Sequence, residues 1–343
     1  MSDSASPARE GARIVVTGAT GNVGTEVVRA LGADPRVASV LGLARRVPRW
    51  DPPKTRWAGA DITHDDLAGH FLGADAVVHL AWTFQPTHDP VATWRNNVLG
   101  GVRVLDAVVA AGVPALVHAS SVGAYSPGPG GIPVDESWPT HGWPDTAYCR
   151  EKAYLERVLD CFECENRDVR VVRLRPGFVF KREAAAHQLQ LFAGRLLPPG
   201  AVRPELLPVL PAFAGLRFQA LHASDAAEAY RLAALGRARG AFNVAAGPVV
   251  DADVLADVLN ARAVPFPRGP LRTALSAAWR LRLLPASPHL FDAVVHLPVM
   301  DTARAREELG WSPRYGAREA VAEFLDGLRG GDRLPTDPLS VAR

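Results

Sequence analysis

The chain has 343 residues, 48% of them hydrophobic and 22% charged, with a formal net charge of +2. That balance suits a globular protein with a full core, one large domain or two ordinary ones, and a charge so near neutral excludes a nucleic-acid partner. No run of 18 apolar residues occurs, so no membrane partner is expected. The start "MSDSASPAREGA" lacks an apolar signal core and the three cysteines fit a reducing compartment, so the expected location is the cytoplasm. Among the 38 basic residues only Lys54, Lys152 and Lys181 are lysines, which makes each of them conspicuous.

In chain order, residues 13–17 read as a strand and 22–31 as a helix. Further strands are predicted at 37–44, 75–82, 115–121 and 169–176, with long helices at 94–111 and 147–165. Val98, Val102, Leu105 and Val109 give the first of those helices its apolar face. Near-continuous apolar strands alternating with helices imply a parallel sheet covered on both faces, with right-handed crossovers. After residue 180 the rhythm breaks. The stretch 192–215 is rich in Pro and Leu and reads as irregular; short elements return at 218–223, 225–235, 240–246 and 250–259, and 271–300 reads as helical. The predicted fold class is α/β: a doubly wound parallel sheet (Rossmann) over 13–180. A smaller C-terminal substrate lobe over 181–330 partly returns to the sheet, and loose tails flank them at 1–12 and 331–343. No internal repeat is visible.

Gly18, Gly21 and Gly24 lie between the first strand and first helix. Glycine tolerates backbone conformations that a Cβ forbids and lets a phosphate come close. The helix that starts at Asn22 and Val23 offers free backbone N–H groups and a positive dipole end to a pyrophosphate. Gly18, Thr20, Gly21, Asn22, Val23 and Gly24 are therefore candidate dinucleotide contacts. A tight structural turn would use the same glycines. At the end of the second strand, where a carboxylate would bond the ribose 2′-OH of NAD, stands Ala44, followed by Arg45 and Arg46. Two guanidiniums can fork onto a 2′-phosphate, so the expected cofactor is NADP, with NAD as the alternative. In a chain so rich in Arg, two solvated loop residues would look the same.

"YCREK" sets Tyr148 and Lys152 four apart, on one helix face. A phenol near pKa 10 is a poor base at neutral pH, and an adjacent ammonium favours its phenolate. A surface pair four residues apart would share that spacing. "HASS" ends a predicted strand with Ser120 and Ser121, where a hydroxyl could fix a substrate oxygen.

The T-G-x-x-G-x-x-G spacing of 17–24 together with Tyr148 and Lys152 resembles the short-chain dehydrogenase/reductase superfamily. The length and the later lobe resemble its extended branch, the epimerase/dehydratase-like family. The resemblance runs over about 13–328. It selects Ser121, four residues before the aromatic Tyr125, as the hydroxyl partner. It implies that Asp61 and Ile62 flank the adenine, that Leu80, Ala81 and Trp82 in "HLAW" lie along the cofactor, that Asn97 sits near the active site, and that Pro176 and Gly177 meet the nicotinamide. It also implies a homodimer seam built from the helices at 94–111 and 147–165. "FQALHASDAAEAY" with His222 and Asp225, and "DTARAREELGWSP", match its lobe segments.

The match fails at two places. Nucleotide-sugar members usually carry an Asn where this chain has Phe178 or a neighbour, and Arg217 in "LRFQALH" is out of register with their phosphate-binding Arg. The expected substrate wall is aromatic and apolar instead: Trp82, Phe84, Trp138, Trp143, Leu189, Leu191 and Phe192, with Tyr125, Phe178 and Arg217 as further candidate substrate contacts. Such residues also build any lobe core. "CFEC" at 161–164 is one isolated C-x-x-C, too few ligands for a metal site, and no metal is expected. The predicted function is NAD(P)-dependent oxidoreduction of a small-molecule carbonyl or alcohol by Ser121, Tyr148 and Lys152. The alternatives are a nucleotide-sugar epimerase or dehydratase that recycles NAD internally, and a non-catalytic NAD(P) binder.

Overall fold

The computed structural model describes residues 11–84, 88–194, 208–330 and 336. The first half contains β1 (Ala12–Thr17), α1 (Asn22–Ala33), β2 (Val37–Ala44), β3 (Thr55–Gly59), α2 (Leu67–Phe71), β4 (Ala76–His79), α3 (Pro90–Trp94), α4 (Gly100–Ala110), β5 (Ala115–Ala119), α5 (Ala147–Glu165) and β6 (Arg170–Pro176). The second half adds β7 (Phe178–Phe180), α6 (Ala185–Ala193), β8 (Val209–Ala212), β9 (Arg217–Phe218), β10 (Ala220–His222), α7 (Ala223–Leu235) and β11 (Gly240–Val244). It closes with β12 (Val250–Asp251), α8 (Ala252–Leu259), β13 (Arg262–Pro265), α9 (Arg268–Arg280), α10 (Pro288–Val294), α11 (Ala303–Glu308) and α12 (Ala317–Gly330).

Seven strands form one sheet in the order β3-β2-β1-β4-β5-β6-β11, with every neighbour parallel. The winding reverses between β1 and β4, which opens a crevice at their carboxyl ends. Alternate strand residues feed two cores. Ile14, Val16, Val78 and Val117 pack with α1 and α7 through Val27, Leu31 and Tyr230. Val15, Val77 and Leu116 pack with α2, α4 and α5 through Phe71, Val108 and Leu159. This period of two explains why the strands read as unbroken apolar runs: both faces are buried. Beyond β6, the chain leaves the sheet for the lobe and returns to it as β11.

The first half departs from its expected outline in three places. β3 was not anticipated, because "TRWAG" is short and its residues are only half-buried at the sheet edge. The strand expected over 75–82 stops at His79, and Leu80–Trp82 continue along the crevice, with the Leu80 N–H donating to the Thr17 carbonyl. The helix expected at 94–111 begins at Pro90 and passes through a π-helical turn, Arg95–Leu99, before α4. In the lobe, the 271–300 stretch is two helices, α9 and α10, interrupted around Pro285 and restarted with Pro288 in the first turn. Asp225 anchors the closing turn: its Oδ2 accepts from the backbone N–H groups of Arg314 and Tyr315, and its carbonyl from the Trp311 indole. The loose tails expected at 1–12 and 331–343 lie almost wholly outside the described residues, as does the middle of the irregular stretch. Among the described residues no helix is long and apolar enough to cross a membrane.

One polar pair interrupts the α5 side of the sheet. His79 and His118 are cross-strand neighbours with ring centres 5.3 Å apart. His79 Nδ1 bonds the Thr17 hydroxyl at 2.7 Å, whereas His118 Nδ1 is buried with no hydrogen-bond partner. Burial, aided by the Lys152 charge, pulls His79 down to about 3, and burial with the neighbouring His79 pulls His118 well below the usual range. The fold thus holds both rings neutral while the unfolded chain protonates them near pH 6.5. Their contribution to stability is full above about pH 6.5 and is lost as the pH falls below it. Replacing His118 by Leu removes an unsatisfied buried nitrogen. The variant is expected to match or exceed the parent in urea unfolding at neutral pH and to lose less stability between pH 6.5 and 5. A loss above about 2 kcal/mol at neutral pH would contradict this account of the pair.

Candidate active site

The crevice is built first by glycines. Gly18 has φ +67°, and a Cβ there would sit 2.6 Å from the Ala81 backbone nitrogen. At Gly24 a Cβ would meet the Ala19 Cα at 2.8 Å, so this glycine lets α1 seat on the loop. Gly21 caps α1 with no side-chain hydrogen bond, and the first turn holds no acid. The helix therefore presents unsatisfied N–H groups to the crevice.

Gly18, Thr20 and Gly21 line a cavity of about 170 Å³. Ala44, Arg45, Asp61 and Ile62 also line it, as do Leu80, Ala81, Trp82 and Asn97. Asp61 is held locally, its Oδ1 accepting from the Thr63 N–H and hydroxyl. Although burial opposes them, those bonds and nearby cations keep its carboxyl below the usual range. Arg46 is exposed and does not line the cavity. Asn22 and Val23 face the adjoining cleft, where Asn22 Oδ1 is buried without a partner. A cradle that admits no Cβ, an uncapped helix start and an orphaned amide oxygen together fit a dinucleotide.

The adjoining cleft, about 300 Å³, holds the expected chemical groups. Ser121 starts a short turn, its Oγ accepting from the Gly123 N–H at 3.0 Å. Tyr148 donates its phenol to the same Oγ at 2.9 Å. Gly123 gives the tyrosine ring its seat, since a Cβ there would lie 2.8 Å from Tyr148 Cε1. Lys152, one helical turn on, donates to the Ala119 carbonyl at 2.7 Å, and its Nζ lies 3.5 Å from the centre of the Trp82 ring. Ser120, the other candidate, is turned away: its hydroxyl donates to Glu156 at 2.5 Å.

Burial sets both titrations. It pushes the Tyr148 phenol up to about 12, against the Ser121 hydrogen bond that lowers it. It pulls Lys152 down to about 7, opposed by Glu151 and Glu156. The unfolded lysine titrates near 10.4, so between about pH 7 and 10 the unfolded state binds more protons at this position and stability rises with pH. Lys152→Met is expected to flatten that slope, read by urea unfolding at pH 7 and 9. An unchanged slope would show that Lys152 is not the buried group responsible.

Pro176, Gly177 and Phe178 line this cleft, as do Trp82, Phe84, Leu191 and Phe192. Phe84 packs its ring against Tyr148 and Phe192, with centres 5.4 and 5.2 Å away. Other expected wall residues are elsewhere. Tyr125 is buried behind the sheet edge, donating to Asn243 Oδ1 at 2.7 Å and accepting from Arg175 at 2.8 Å, so it has no hydroxyl left for a substrate. Trp138 packs beside Tyr125. Trp143 stacks on His296. Leu189 does not line the cleft. Arg217 donates to the Gly130 carbonyl at 3.1 Å, outside the cleft.

Asn97 is close to the site but does not touch Ser121, Tyr148 or Lys152. Its Oδ1 accepts from the Thr83 N–H, and its Nδ2 donates to the Thr83 carbonyl and to Glu151 Oε2. Thr93 donates to the other Glu151 oxygen at 2.6 Å. The π-helical turn carries Asn97, which thus holds the 82–84 segment against α5. Sequence reasoning missed Glu151, the buried Glu156 cluster, and Tyr230, Leu290 and Val294 on the cleft wall. Arg173 and Arg175, two apart and both buried in β6, were the available signal for a buried acid.

A family model, the NAD dependent epimerase/dehydratase family, matches residues 14–245. The dTDP-6-deoxy-L-talose 4-dehydrogenase (NAD(P)(+)) of Kitasatospora kifunensis is 30% identical over 334 residues, covering 91% of this chain and 94% of its own length. The UDP-glucose 4-epimerase of Mycolicibacterium smegmatis is 27% identical over 338 residues, covering 92% and 98%. Among solved structures, MoeE5 in complex with UDP-glucuronic acid and NAD superposes with a TM-score of 0.69 at 23% identity, covering 93% and 99%, a likeness of fold. The chain belongs to the NAD dependent epimerase/dehydratase family and is an enzyme of that family.

Proposed function

We propose that the protein is an NAD(P)-dependent oxidoreductase acting on an apolar carbonyl or alcohol through Ser121, Tyr148 and Lys152. The observation that carries this is the 2.9 Å hydrogen bond from Tyr148 to Ser121, with buried Lys152 one turn away. A nicotinamide bound beside Pro176 and Gly177 would supply or accept the hydride. Ser121 orients the substrate oxygen. Tyr148, held protonated by burial, gives its proton to that oxygen as negative charge develops there, and Lys152 favours the phenolate left behind. Trp82, Phe84, Phe178 and Phe192 keep water from the reacting carbon and favour a hydrophobic substrate.

Gly18, Gly21 and the start of α1 would hold the pyrophosphate. Arg45, with Ala44 in place of an acid, supports NADP. Arg45→Ala is expected to weaken NADPH binding roughly tenfold or more while leaving NADH nearly unchanged, in parallel fluorescence titrations. Equal weakening of both would show that Arg45 does not read the 2′-phosphate. The same reading includes a homodimer across α4 and α5, where Val109 and Tyr154 are exposed apolar surface, and a small molecule as the substrate in the cleft.

A second reading, nucleotide-sugar dehydrogenation or epimerisation, is favoured by the names of the relatives. Phe178 and the outward Arg217 weigh against it. NADPH oxidation with a panel of apolar ketones, set beside NAD(P)+ reduction and product analysis with dTDP- and UDP-sugars, separates the two. Turnover of only the nucleotide sugars would overturn the first.

A further inference from the structure

We infer that α9 and its two flanks form a docking surface for an anionic phospholipid bilayer. This stands apart from the catalytic reading and does not depend on it. Between Asp257 and Asp292 the chain carries five arginines, Arg262, Arg268, Arg272, Arg280 and Arg282, and no carboxylate, although the whole chain has a net charge of only +2. Among the described residues only Arg272 of the five has a carboxylate partner, Asp292 at 2.8 Å.

None of the 13 residues of α9 is buried. Its half-buried residues Leu271, Leu275, Ala278 and Trp279 share one helical face, and Trp279 stacks on His88 with ring centres 4.4 Å apart. Large apolar side chains stand exposed at both ends. Leu281 is 70% and Leu283 47% exposed just after the helix, and Phe266 43% and Val264 38% just before it. Bulky apolar groups interleaved with guanidiniums suit one kind of partner. A bilayer interface takes the Leu and Phe side chains into its acyl boundary while Arg side chains reach the phosphates. A nucleic-acid backbone would reward the cations but not the exposed leucines. The contact is peripheral and needs no spanning helix. It would also bring α10, which lines the apolar cleft with Leu290 and Val294, next to the lipid surface.

The test is co-sedimentation of the full-length protein with phosphatidylcholine vesicles, with and without phosphatidylglycerol, at low and high salt. Binding is expected only with phosphatidylglycerol and is expected to fall with salt. The double variant Arg280→Gln/Arg282→Gln should bind roughly thirtyfold more weakly, from the usual contribution of a basic residue at an anionic surface. Leu281→Ser/Leu283→Ser should lose roughly tenfold or more through the apolar contact. Circular dichroism and NADPH titration should match the parent in both variants. Failure of the parent to sediment with anionic vesicles, equal binding to pure phosphatidylcholine, or tighter binding to duplex DNA in the same salt would each overturn the inference. The lipid and salt dependence of the parent decides the matter even where a variant folds poorly.

Discussion

Tyr148→Phe is expected to reduce turnover by roughly a thousandfold while leaving cofactor affinity within a factor of two or so of the parent. The substitution removes one oxygen. Its hydrogen bond to Ser121 is lost, but the ring stays seated on Gly123 and against Trp82 and Phe84. In the proposed reading the cofactor is held by other groups, the glycine loop and the start of α1, so the defect is expected in kcat rather than in the Kd for NADPH. Ser121→Ala should show a smaller loss of the same kind, because the phenol remains to move the proton. A Tyr148→Phe enzyme with full activity would remove Tyr148 from the chemistry.

The second large effect is on folding. Glu156→Ala is expected to cost about 3–5 kcal/mol in urea unfolding at neutral pH. Glu156 is almost wholly buried. Its Oε1 accepts from Ser120 at 2.5 Å and Arg175 Nε at 2.9 Å; its Oε2 accepts from Arg173 at 3.0 Å and Arg175 Nη2 at 2.9 Å. Burial alone would raise this carboxyl, but the Arg175 and Ser120 hydrogen bonds hold it down to about 2. Truncation leaves two guanidiniums in the interior with their largest compensation gone. Because the folded carboxyl is depressed, its contribution is present above the ordinary glutamate range and fades as the pH falls toward 2. It adds to the acid sensitivity set by His79 and His118. The cluster also fixes Ser120, next to Ser121, so activity should fall along with stability. A cost under about 1 kcal/mol would mean that water replaces the carboxylate, against the burial seen here.

The doubly wound sheet was legible because its strands are buried on both faces and its glycine turn comes between a strand and a helix. The Tyr148–Lys152 spacing was legible for a related reason: four residues apart on a helix is a local relation. Ser121 rather than Ser120 came from the family pattern. In the structure, Glu156, 36 residues away from Ser120, takes up the other hydroxyl. What escaped was non-local. Tyr125 looked like an aromatic beside the site, yet Arg175 and Asn243 hold its hydroxyl from 50 and 118 residues away. Asn97 was placed near the chemistry, but its bonds to Thr83 and Glu151 depend on a π-helical turn that no local pattern marks. The cleft wall from α10 was hidden inside 271–300, a stretch that reads only as helical, with no mark of where one helix ends and the next begins. In 258–291 the carboxylate-free run of arginines was visible from the start, but its meaning waited on seeing Leu281 and Leu283 exposed.

In the proposed reading this cleft carries an exchangeable nicotinamide cofactor for net hydride transfer. It is tested most directly by denaturing freshly purified protein, identifying any released nucleotide, and titrating the stripped protein with NADPH and NADH. The expected result is little or no retained nucleotide, reversible binding of one NADPH per chain, and weaker binding of NADH. Stoichiometric, tightly held NAD would contradict it and would point to an enzyme that recycles its cofactor internally.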